Sequence, residues 1–128
     1  MQFYWRRLDG HQAIYRYQSQ IGRVPPDLSS IPILFLLSPP PDMGNPLAGM
    51  FRADGFTEIY AYPVTDVSNE AALELADSVE QLMAMYHPHQ ARLILVGCAR
   101  GGMLGRRYVM LGGYERVAFL FTMGSSHR

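Results

Sequence analysis

Residues 93–102 read Leu-Ile-Leu-Val-Gly-Cys-Ala-Arg-Gly-Gly and hold the only cysteine of the chain, Cys98. A thiol placed between a strand and a helix could attack an ester or thioester carbonyl if a base took its proton, and His127 could supply that base. Both residues are expected near the C-terminal ends of strands, where open α/β sheets bind ligands. The plainer alternative is a small core side chain, the commoner role of a lone cysteine beside an apolar strand. His87-Pro88-His89 brings two imidazoles close together, but no carboxylate is nearby, so it reads as a solvated helix end and no metal centre is expected. Arg106 and Arg107 could hold an anion, yet they fall in the middle of a helix and read as an exposed face. Asp42 and Asp66 follow strand ends and could face a cleft; caps and turns are the favoured reading. Met83, Met85, Met103 and Met110 are expected to fill the core from helices.

Composition narrows the functions open to such groups. The chain has 128 residues, 48% hydrophobic and 17% charged, with zero formal net charge. Residues 1–128 are enough for one globular domain with a real core. The balanced charge leaves no electrostatic footprint for nucleic acid or an anionic membrane. All eleven basic residues are arginine and are scattered, which reads as coding bias before function. One cysteine permits neither an intrachain disulfide nor a cysteine-cluster metal site. Residues 1–10 carry Arg6, Arg7 and Asp9 and lack an apolar core region, arguing against a signal peptide. The apolar stretch from Ile31 to Ser38 is too short to span a bilayer. No transmembrane segment and no cofactor are therefore expected, and a cytoplasmic location is favoured.

The elements that must position these groups follow from periodicity. Gln2–Leu8 and His11–Ser19 are rich in aromatic and β-branched residues and flank Asp9-Gly10, which predicts an antiparallel hairpin with a two-residue turn. Pro25-Pro26 and Ser29-Ser30 mark a loop. Ile33–Leu37 is a continuous apolar run, as for a strand covered on both faces, and Pro39-Pro40-Pro41 ends it. Pro46–Ala53 predicts a short helix ending near Gly55, and Thr57–Tyr62 the next strand. Ala72, Leu75, Ala76, Val79, Leu82, Met83 and Tyr86 recur at helical spacing, predicting a helix over 69–86 with Ser68 as N-cap and Pro88 beyond its end. A strand over 92–96, a helix over about 102–111 ended by Gly112-Gly113, and a strand over Val117–Thr122 complete the order. Alternating strands and helices predict a mixed, mostly parallel sheet of about six strands with flanking helices and the hairpin at its N-terminal side.

Two motifs in register resemble the lipase and esterase branch of the α/β-hydrolases. Leu-Val-Gly-Cys-Ala-Arg-Gly-Gly-Met-Leu-Gly-Arg-Arg-Tyr at 95–108 is similar to that family's Leu-Val-Gly-His-Ser-Met-Gly-Gly-Leu-x-x-Arg-Tyr. Leu111-Gly-Gly, Val117 and Thr122-Met-Gly-Ser-Ser-His-Arg are similar to its strand ending in Leu-Gly-Ser-Pro-His. The resemblance implies a truncated α/β-hydrolase-like domain, the N-terminal half of the family's fold, with strand order 1-2-4-3-5-6. It makes Gly97, Cys98, Ala99, Arg100 and Gly101 the nucleophile elbow. There, Ala99 stands at the serine position, and a methyl group cannot attack a carbonyl. Cys98 stands where these lipases often carry histidine. Where the family has His-Gly after its strand, this chain has Ser38-Pro39, and proline offers no N–H to an oxyanion hole; only the Arg100 N–H remains. The acid and histidine of the family lie on later strands. Loss of the nucleophile alone costs on the order of 10⁶ in turnover, and one oxyanion donor a further ~10²–10³.

The expected function is then a non-catalytic lipase- or esterase-like domain acting as an interaction or structural subunit, or a decayed gene product. The alternatives are a weak esterase or thioesterase using Cys98 with His127, or a ligand pocket without chemistry. Val117–Thr122 holds neither proline nor charge and is expected at a sheet edge, a template for pairing with another chain. A homo-oligomer or a protein partner through that strand is expected, most simply a twofold dimer.

Overall fold

The computed structural model describes residues 3–7, 14–19, 31–38, 45–56 and 58–124. Strands β1 (Phe3–Arg7), β2 (Tyr15–Ser19), β3 (Ile33–Leu37), β4 (Ile59–Pro63), β5 (Leu93–Cys98) and β6 (Val117–Met123) alternate, after the hairpin, with helices α1 (Asn45–Ala53), α2 (Asn69–Tyr86) and α3 (Arg100–Met110). They form one sheet in the order β1-β2-β4-β3-β5-β6. The hairpin pairs antiparallel and joins β4 antiparallel, while β4, β3, β5 and β6 run parallel. This is the mixed sheet and the strand order expected.

Each face of the sheet carries its own core. On one, Leu34, Leu36, Tyr60, Tyr62, Leu93 and Leu95 pack against α2 and α3. On the other, Ile33, Phe35, Ile59, Ala61, Ile94 and Val96 pack against α1 through Ala48 and Phe51. Alternate residues of one strand thus serve opposite cores, which is why β3 is apolar at every position. Helix α2 keeps its expected bounds. Ser68 caps it by accepting the Ala71 N–H at 3.1 Å, and the buried stripe is Ala72, Leu75, Ser78, Val79, Leu82 and Met83.

Four expectations need correction. Arg7 pairs with Tyr15, whereas a two-residue turn at Asp9-Gly10 would pair Leu8 with His11; the hairpin is real but its connection is longer. The turn itself, the 25–30 loop, Pro39–Pro41, Asp42 and His127 lie outside the described residues. Helix α3 begins at Arg100, two residues before the predicted start, because Ala99 turns the chain directly into the helix. Met83 is buried, but Met85 and Met110 are exposed because they sit off the stripe that faces the sheet. His87 is buried, not solvated.

Candidate functional site

The elbow sits where β5 leaves the sheet between β3 and β6. Ala99 adopts φ 54° and ψ −120°, the only positive φ at a non-glycine residue among those described. Holding a side-chain-bearing residue there costs about 1–3 kcal/mol, which the surrounding packing must over-determine. It does so from both sides. The Ala99 N–H donates to the Met123 carbonyl at 2.9 Å, and the Ala99 carbonyl accepts from the Gly102 N–H at 3.0 Å.

The neighbouring glycines let the helix pass. A Cβ at Gly97 would stand 2.5 Å from the Gly102 Cα, and one at Gly101 would collide with the Leu36 carbonyl oxygen and lie 2.7 Å from its carbon. Strand β5, the first turn of α3 and the end of β3 therefore meet backbone to backbone, which only glycine permits. The spacing of Gly97 and Gly101 in the sequence carries this geometry.

Ala99 is exposed and ends in a methyl group. The Arg100 N–H, at the first position of α3, has no carbonyl within the helix to bond. Ser38, at the end of β3, is half-buried.

Cys98 is also half-buried, and its side chain joins the α1-side core beside Ile94 and Val96. Burial pushes its thiol pKa up, so it is a thiol and not a thiolate at neutral pH, the opposite of an activated nucleophile. The described histidines, His87 and His89, follow the C-terminal end of α2, and His87 contacts Glu58 and Tyr60 at the entry to β4. That is the end of the parallel sheet opposite the elbow.

Asp66 is drawn into capping. It accepts from the Ser68 hydroxyl at 2.7 Å and from the Val67 and Ser68 N–H groups. The Ser68 hydroxyl lowers its pKa most; those backbone donors and the Arg100 charge add to the effect. Arg107 is exposed and donates to the Asn69 side chain at 2.7 Å, tying α3 to α2. No cluster of three metal-ligating side chains occurs among the described residues, and no described helix is long and apolar enough to cross a membrane.

Sequence reading missed a buried polar cluster. The Tyr60 hydroxyl donates to Glu58 Oε1 at 2.8 Å and lies 2.8 Å from His87 Nε2. With its one proton given to Glu58, the Tyr60 hydroxyl oxygen is left to accept from His87 Nε2, which also lies 3.5 Å from Glu58 Oε1. The partners are far apart in sequence, and His-Pro-His gives no local signal of burial. A groove of about 640 Å³ runs beside α2, lined by Ala76, Glu80, Tyr108, Gly112 and Arg116 among others. No residue of the elbow lines it. Its wall is the Glu80–Arg116 ion pair at 2.7 Å.

No protein-family model matches this chain, and no curated protein is similar to it in sequence at a significant level. Its backbone is similar to solved hydrolases. A structure described in work on carboxylesterases of the thaumarchaeon Nitrososphaera gargenis superposes with a TM-score of 0.58 at 14% identity, over 95% of this chain and 45% of that one. A predicted CIB-like hydrolase from Thermoplasma acidophilum gives 0.55 at 13% identity, over 97% and 62%. The 2-hydroxy-6-oxo-6-phenylhexa-2,4-dienoate hydrolase of Rhodococcus sp. strain RHA1 gives 0.54 at 16% identity, over 97% and 47%. The chain spans about half the length of these structures. Its fold is that of the α/β-hydrolases.

Proposed function

We propose that residues 1–128 form one α/β-hydrolase-fold domain that performs no hydrolysis and serves as an interaction or structural subunit. One observation carries this reading: the turn that would expose a serine holds Ala99, at φ 54° and ψ −120°. Its flanking glycines still allow β5, α3 and β3 to meet. The scaffold of a nucleophile is kept and the nucleophile is not. The raised pKa of the Cys98 thiol and its place in the α1-side core weigh against the thioesterase reading with His127 as base. The outer edge of β6, with Phe119 and Phe121 exposed, offers the surface for a protein partner.

The test is hydrolysis of short-chain p-nitrophenyl esters and thioesters by the chain and by Cys98→Ala. Neither protein is expected to turn over substrate above the buffer rate. Turnover that disappears in Cys98→Ala would replace this reading with the cysteine hydrolase.

A further inference from the structure

We draw no further inference here: the strongest candidate, the groove between α2 and the C-terminal end of α3, carries nothing because its Glu80 and Arg116 side chains are spent on one another and nothing in the structure shows what covers it.

Discussion

The elbow and β6 are neighbours in the sheet, joined by the bond from the Ala99 N–H to the Met123 carbonyl, yet they are under opposite constraints. At the elbow, three backbones meet with no room for a methyl group at Gly97 or Gly101. Along β6, the alternate side chains Phe119, Phe121 and Met123 are exposed. The first region is fixed by the close approach of three backbones, which does not depend on the side chain at Ala99. The second is fixed on one face only, and its free face can change without disturbing the core. The shape of the turn is thus set by how the elements pack, whatever side chain stands at position 99.

The contrast is broken most severely by Gly101→Val. Its Cβ would enter the Leu36 backbone, where no rotamer change can relieve it, so a loss of roughly 3 kcal/mol or more is expected. Thermal melting should register a fall in Tm of roughly 10 °C or more. Phe119→Lys, on the free face, should change monomer stability by no more than about 0.5 kcal/mol. Similar losses at the two positions would mean that β6 is as constrained as the elbow.

Helix α3 connects the two regions, and Tyr108 in its last turns sharpens the comparison. Burial pushes its hydroxyl up to about 12, helped by the Glu80 charge and opposed by Arg116. The unfolded chain ionises first, near the ordinary value of 10.0, so above that pH it binds fewer protons than the folded chain. Stability is then whole below about pH 10 and falls progressively up to about 12 by a few kcal/mol. Urea titrations across this range should show the decline, and Tyr108→Phe should lessen it, leaving the part due to Tyr62, whose hydroxyl burial also pushes up.

Much of this was legible in the sequence because the signals were local. The unbroken apolar run at Ile33–Leu37 and the stripe from Ala72 to Tyr86 returned their elements with the expected bounds. Gly97 and Gly101 marked the elbow because close backbone approach demands glycine at that spacing. The strand order rested on resemblance to a family and not on spacing. What stayed hidden was non-local. The Arg7–Tyr15 register depends on how the hairpin meets β4, and the burial of His87 depends on Tyr60, 27 residues away.

The smallest effect belongs to the surface. Glu80 receives two bonds from Arg116, at 2.7 and 2.8 Å, and the Arg116 hydrogen bond holds its carboxyl below the ordinary value. Its contribution is present above the unfolded carboxylate range and is lost as pH falls through the lowered value. Half-exposed and screened, the pair should contribute less than about 1 kcal/mol. Glu80→Gln, measured by urea unfolding at pH 7, should fall within that limit; a larger loss would make the groove beside α2 a structural keystone.

The proposed reading, an elbow kept in shape without its chemistry, is tested most directly by the substitution Ala99→Ser, assayed on a short-chain p-nitrophenyl ester beside its melting curve. Serine fits the same backbone, so the account predicts a Tm close to that of the parent chain and no turnover above the buffer rate. Turnover within about a hundredfold of roughly 10 s⁻¹, the median of enzymes, would show that the rest of the machinery is present and would contradict it.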